Sequence, residues 1–509
     1  MTLLHRNENK TLIGIVIADN EIEGGYRISP DSCYNALRTF AGPPTVREGK
    51  VFQNYGVANV QSSGDVQKVN TKDRQLVDRA LRGAVQACTN FAMLILKNKS
   101  AEPYTHFENL CDRVDGLHSI CVTQTALSGP ARGQLMGNLM LKMNLKTGGS
   151  NHCVADGKMK EILPDTLVLG AEVTHPGKGS LTGCPSIAAI VGSVDNLGGH
   201  FLGSMRVQSK EKKEIIDEVK DMVVERINGW VEKHGGAILP TNILYYRDGV
   251  GDSQYSDIET TELAQIQLAF DVVVDDLRKR NKISSSMIPK INITPIICAK
   301  RHNTRFYPAL GDEDKTENCL PGTFVDDMVC SPYYQNFYSQ SHCALKGTAR
   351  PAHYFIIQNN MNKSVDELRQ LTHELCYSYV RATVGVSYAS PAYYADRLCE
   401  RGRIYLRDFF VRTANGEKRR NELEVEKQKK ENGLSKIRMA KFGVERNING
   451  RKRPKTLAEL QQESDDKKTV EETCKRWVVK AARKDMYGGK DAPGKNPWHK
   501  NISKTMFWM

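Results

Sequence analysis

The sequence predicts an α/β protein built on two separate sheets, from three observations. Between Arg74 and about residue 155, apolar runs alternate with amphipathic stretches, as they do where strands and helices succeed one another. From Leu163 a second series of strands begins, and it starts as a meander. No internal repeat is visible, and no apolar stretch reaches the roughly 18 residues needed to cross a bilayer.

In the first series RQLVDRALRGAVQACTN reads as helix, FAMLILK (91–97) as a buried strand and YTHFENLCDRVDGL as helix. ICVTQTAL reads as strand, and GQLMGNLMLKMNLKTGG as a helix stopped by glycine. This alternation predicts a mostly parallel sheet, a Rossmann-like domain over residues 73–157. Residues 1–72 precede it as a linker-like segment of strands and turns ending in the polar NVQSSGDVQKVNTKD. Within it TLIGIVIA (11–18) runs straight into Asp19 and reads as a strand, not a signal peptide.

The second domain is expected over residues 158–509. DTLVLGAE is a strand, and IAAIVGSVD and FLGSMRVQ flank NLGGH as a hairpin. EIIDEVKDMVVERINGWVEKHGG follows as a long helix, with Ile215, Val219, Met222, Val223, Ile227 and Trp230 at helical spacing. NILYYRD (242–248) is a strand, ETTELAQIQLAFDVVVDDLRKRN a helix and INITPIICAK (291–300) a strand. Three meandering strands, helix, strand, helix, strand is the order of a ribonuclease H-like fold, which gathers carboxylates from strand ends around divalent metals.

The chain carries 72 Lys and Arg against 59 Asp and Glu, a formal charge of +13. Between Arg412 and Lys455 there are 15 basic and 6 acidic residues, so +9 of that excess sits in one late segment. A polyanionic partner suits the excess, but the rest of the chain is only mildly basic. The surrounding stretch, about 412–497, reads as a charged insertion of solvated helix or disorder. Its RKRPK is a candidate nuclear address. The 13 cysteines are odd in number and never spaced as CxxC, which argues for a reducing compartment, expected to be cytoplasmic, and against a zinc site.

One residue stands out in this pattern. Glu172 closes the apolar run TLVLGA, and a carboxylate at such a tip is costly unless it is solvated, paired or holding a metal. GAEVTHP, YYRDGVGDSQ, AKRHNTRFYP, KGTARPAHY and YVRATVGVSYASPAYYADRLCERGR, in that order, resemble the PIWI domain of a eukaryotic, fungal-type Argonaute. LMLKMNLKTGGSN resembles the end of the adjoining MID domain, and TMFWM the fungal members' C-terminus. RTFAGPPTVREGKVF (38–52) resembles the linker before MID, so the amino-terminal and PAZ domains are expected to be absent from this chain.

The resemblance implies guide-directed RNA silencing: a small guide RNA held by its 5′ phosphate, a complementary target RNA paired to it, and hydrolysis of the target with Mg2+ or Mn2+. Silencing partner proteins belong to the same expectation; a membrane does not. The catalytic positions it assigns are Glu172, Glu214, Asp248 and Asp396, with Glu172, Asp248 and Asp396 as metal ligands. Two hard cations need clustered oxygen ligands that also offset their charge. The 5′-phosphate positions are Tyr104, Lys142, Lys146, Arg381 and Arg401. Lys300, Arg301, Arg305, His342 and Arg350 match positions that cradle the guide backbone, contacts that position without reading sequence.

Three departures qualify this. The family has Asp where Glu172 stands, Lys where Glu108 stands, and Gln where Ile120 stands. A non-cleaving guide-binding effector therefore remains an alternative to a nuclease, and a truncated fragment without independent activity is a third. Taken alone, Glu172 reads as a solvated strand end and Lys142/Lys146 as a surface pair.

Overall fold

The computed structural model describes residues 11–19, 45–47, 50–52, 59–62, 67–86, 89–128, 132–154, 156–442, 447–448, 451–452, 455–489 and 495–509. Its strands are Thr11–Asp19 (β1), Thr45–Arg47 (β2), Lys50–Phe52 (β3), Asn59–Ser62 (β4), Gln67–Val69 (β5), Phe91–Leu96 (β6) and His118–Thr123 (β7). These are followed by Thr166–Thr174 (β8), Ile187–Ser193 (β9), Phe201–Val207 (β10), Asn242–Asp248 (β11), Asn292–Ala299 (β12), Thr323–Val325 (β13), Asn336–Gln340 (β14) and Ala352–Ile356 (β15).

The first sheet runs β4-β1-β6-β7, with β5 also paired to β1, and all these pairings are parallel. Its central strand β6, FAMLIL, is apolar and buried along its whole length, as a sheet covered by helices requires. The strand expected at 11–18 forms, but it lies inside this sheet against β6. The Rossmann-like domain thus draws on residues well before 73, and the segment 1–72 is not merely a linker. The reason is long-range: β1 finds its partner about 75 residues downstream, beyond the reach of local pattern. ICVTQTAL divides, with β7 ending at Thr123 and a helix over Gln124–Ser128. RTFAGPPTVREGKVF lies largely outside the described residues; within it β2 and β3 form a hairpin.

The second sheet has eight strands in the order β10-β9-β8-β11-β12-β15-β14-β13. β8, β11 and β12 are parallel neighbours, and β9 and β10 meander antiparallel from β8, the ribonuclease H-like arrangement. Val219–Lys233 and Ala264–Lys279 cover one face, burying Met222, Val223, Ile227, Trp230, Ile266 and Phe270. Val365–Tyr377 and Ser390–Tyr405 cover the other.

The Ser390–Tyr405 helix approaches β8 so closely that glycine is required below it. A Cβ on Gly170 would fall 2.0 Å from the Pro391 carbonyl oxygen. This contact fixes the helix that carries both Asp396 and Arg401.

The insertion forms two long helices, Ala414–Phe442 and Leu457–Met486, joined by Arg438–Asp466 at 3.2 Å and anchored by Arg419–Asp485 at 2.7 Å. Thr456 and Glu459 cap the second helix reciprocally. It is not wholly solvated, because Val478, Ala482 and Met486 are buried in the second domain's core. Within RKRPK (451–455), Arg453 and Pro454 lie outside the described residues, and Arg451–Lys452 forms a short strand paired with Asn447–Ile448. Among the described residues, no helix is long and apolar enough to cross a membrane.

Candidate functional site

The C-terminal ends of β8, β11 and β12 lie side by side and bring three charges together: Glu172 two residues before β8 ends, Asp248 at the end of β11 and Lys300 just after β12. Ala171 is in register with Arg247, so Glu172 and Asp248 follow as neighbours on the opposite face. Lys300 comes directly after β12 and pairs with Asp248 Oδ2 at 2.7 Å, its ammonium 3.5 Å from the centre of the Tyr388 ring. Glu172 Oε2 is buried without a hydrogen-bond donor, whereas Asp248 Oδ2, also buried, is met by the Lys300 ammonium. Burial, then the neighbouring Asp248, pushes the Glu172 carboxyl well above the usual range, against the pull of Arg247 and Lys300. The charge at the end of TLVLGA is therefore not a solvated strand tip.

Glu214 reaches the same spot from the loop after β10. A Cβ on Gly249 would lie 3.2 Å from Glu214 Oε1 and 3.3 Å from Glu172 Oε1, so both carboxylates crowd one backbone position. Gly249 also has φ +88°, which only glycine adopts without strain. The helix expected to start near Glu214 begins at Val219 instead. The backbone N–H groups of Ile216 and Asp217 donate to side chains, Glu262 at 3.0 Å and Gln208 at 3.1 Å, so the loop is held by tertiary bonds.

Four residues that sequence reading missed set Glu214, two by direct contact and two through those. His175 Nε2 lies 2.6 Å from Glu214 Oε2, and Ser186 holds the other ring nitrogen at 2.8 Å. Arg247, fully buried, donates to Glu214 Oε1 at 3.0 Å and to the Glu214 carbonyl at 2.6 Å. Glu262, equally buried, takes Arg247 Nε at 3.2 Å and the Tyr245 hydroxyl at 2.7 Å. A single arginine in the otherwise apolar β11 was the available signal, since a buried strand tolerates one only with a partner.

Asp396 comes from the Ser390–Tyr405 helix. Burial raises its pKa, with Lys300 acting against that and Glu400 with it. It shares Lys300 with Asp248 as a nearby cation, so all four acids face one region. Among the described residues, however, no three His, Cys, Asp or Glu side chains form a ready ligand set. The residues fit a divalent cation through the donor-less oxygen of Glu172, joined by Asp248 once the Lys300 ammonium turns away from it. Mg2+ is commonly held by one or two carboxylates and keeps several waters.

The other predicted cations separate by exposure. Arg301 and Arg350 are exposed, and His342 is half-buried. Arg305 donates to the carbonyls of His302 at 3.0 Å and Thr304 at 2.6 Å. Lys300 departs from the guide-backbone group, because its ammonium is turned onto Asp248.

A second cluster lies at the seam between the two domains. Tyr104 and Glu108 stand on the Ala101–Asn109 helix, and Lys142 and Lys146 on Arg132–Lys146. Arg381 follows Val365–Tyr377, and Arg401 reaches in from Ser390–Tyr405. Burial, then Arg381 and Lys146, press the Lys142 ammonium down to about 8. Lys146 also falls to about 8 through burial, despite Glu108. Burial lifts the Tyr104 hydroxyl to about 12. Arg401 is not free: it pairs with Glu108 at 2.7 Å and with Asp112 at 3.1 Å.

A Piwi domain model matches residues 91–407, more than half of the chain, and the chain belongs to that family, among the Argonautes. It is similar to Protein argonaute-2 of Drosophila melanogaster, 31% identical over 377 residues, covering 73% of this chain and 29% of that protein. The C-terminal lobe of a budding yeast Argonaute superposes with a TM-score of 0.67 at 27% identity, covering 78% of this chain and 79% of that one. Kluyveromyces polysporus Argonaute with a guide RNA gives 0.66 at 26% identity, covering 78% and 45%. The chain spans under a third of the first curated relatives it matches.

Proposed function

We propose that this chain acts in small-RNA-guided silencing, holding the 5′ end of a guide RNA at the domain seam and cleaving the paired target RNA at the strand ends. The observation that carries the reading is the buried, donor-less oxygen of Glu172 beside Asp248, facing Glu214 across Gly249. Similarity to an Argonaute solved with a guide RNA supports the choice of ligand.

In this reading Asp248 and Glu172 hold the divalent cation, with Asp396 the further carboxylate on the facing helix. A cation held there would supply positive charge at the scissile phosphate and favour ionisation of the attacking water. His175 and Arg247 fix the rotamer of Glu214, which closes the site beside Gly249. The exposed Arg301 and Arg350, with His342 and Arg305, meet nucleic-acid phosphates, and Lys142, Lys146, Arg381 and Tyr104 meet the guide's 5′ end.

The deciding assay uses a 5′-phosphorylated guide and a labelled complementary target, with and without Mg2+. Cleavage at one central bond that disappears in Asp248→Ala is the expected result; guide binding without any cut refutes the nuclease. The Lys300–Asp248 ion pair favours a second reading, an effector that binds and does not cut, because an ammonium already neutralises the carboxylate a cation needs.

A further inference from the structure

The buried side of the seam cluster is occupied by the chain's own carboxylates. Glu108 and Asp112 have side chains 3% and 1% exposed. Glu108 receives an Arg401 guanidinium N–H at 2.7 Å and the Ser119 hydroxyl at 2.8 Å, with Lys146 in electrostatic contact. A guanidinium, an ammonium and a hydroxyl converging on one anion are the donors a phosphate recruits. Asp112 forms an ion pair with Arg401, its oxygen 3.1 Å from Nε, and accepts the Tyr405 hydroxyl at 2.7 Å. Arg401 comes from the second domain and both carboxylates from the first, so the anion clasping the two domains belongs to the protein itself.

Four cations, Lys142, Lys146, Arg381 and Arg401, therefore face two carboxylates. Burial raises the Glu108 pKa, but Arg401 and then Lys146 outweigh it and leave the group below the usual range, hence ionised at neutral pH. Among the described residues, Lys142 and Arg381 pair with no carboxylate and repel one another. An entering phosphate dianion would gain these two outer cations but meet Glu108. Displacing Glu108 from Arg401 would strand a buried charge, the costly way to break such a pair.

We propose that Glu108 is a built-in surrogate for a guide's terminal phosphate and a specificity-determining residue, so that the pocket accepts 5′-hydroxyl and 5′-phosphate ends with little discrimination. This rests on the guide-binding reading above and narrows the class of guide it takes. Lys142 and Arg381 still attract the first internucleotide phosphate, which every guide carries.

The test compares one single-stranded RNA, labelled at its 3′ end, with a 5′ phosphate or a 5′ hydroxyl, binding to the full chain. A ratio of dissociation constants below about tenfold is expected, and a larger preference for the phosphate overturns the inference. That comparison needs no variant, so it survives any loss of folding in a mutant. Glu108→Gln keeps the shape, leaves Asp112 to hold Arg401, and is expected to raise the ratio at least fivefold (roughly 1 kcal/mol). A folded Glu108→Gln protein with an unchanged ratio also overturns it. Failure of both RNAs to bind instead refutes the guide-binding reading, an outcome distinct from strong phosphate preference.

Discussion

Replacing Arg247 with methionine tests whether the fully buried Arg247–Glu262 pair fastens the Glu214 loop. The guanidinium makes four bonds that end at Glu262 and Glu214, and neither it nor the Glu262 carboxylate has any exposed side-chain surface. Methionine fills much of the space without the charge. Glu262 then keeps the Tyr245 hydroxyl and the Ile216 N–H but loses its counter-charge. Removing one partner of a buried pair costs about 3–5 kcal/mol, because the other charge is left uncompensated.

Urea unfolding followed by tryptophan fluorescence measures this, since Trp230 packs in the core shared with Tyr245. The double variant Arg247→Met/Glu262→Gln removes the stranded charge and is expected to recover at least about 1 kcal/mol of the loss, a coupling read from the mutant cycle. Limited proteolysis over residues 209–218 should accelerate in the single variant. A loss under about 1 kcal/mol, or no recovery in the double variant, refutes the pair as the fastener of this loop.

Three further outcomes are expected. Glu172→Asp shortens a side chain that presses against Gly249 and restores the family's residue, so any cleavage rate should rise, on the order of tenfold; an unchanged or lower single-turnover rate counts against the metal role. Burial first, and then the repulsion of Arg381 and Arg401 set against Glu108 and Asp112, hold Lys142 and Lys146 down to about 8 in the folded chain, against 10.5 unfolded. Guide affinity measured by anisotropy should therefore fall as pH rises from 7 to 9. These lysines' contribution to stability should have the opposite sign, least favourable below pH 8 and recovering up to about 10.5, because the unfolded chain binds the extra protons in that window. Gly170→Ala drives a methyl into the Pro391 carbonyl and should displace the helix bearing Asp396 and Arg401, at a cost of about 1–3 kcal/mol in urea unfolding, with guide binding and cleavage reduced together.

Much of this site was written in local sequence. Glu172 and Asp248 were legible because each ends an apolar run that can only be a strand, and parallel strands side by side present their ends together. The hairpin of β9 and β10 and the covering helices followed from periodicity for the same reason. Where the readings differed, the cause lay in contacts between distant segments. The pairing of β1 with β6 moved the first domain's start. Tertiary bonds to Glu262 and Gln208 delayed the helix after Glu214. The pairing with Asp248 removed Lys300 from the exposed guide-facing cations.

The sequence by itself determined the α/β class, the order of elements and which residue types end the central strands, because hydrophobic period and turn chemistry act over a few residues at a time. Only the tertiary structure decided what each charge is paired with. Arg247 with Glu262, Lys300 with Asp248, and Arg401 with Glu108 and Asp112 are matched across 15, 52, 293 and 289 positions of chain. A buried charge must find its partner in space, and no local pattern encodes a distance of that kind.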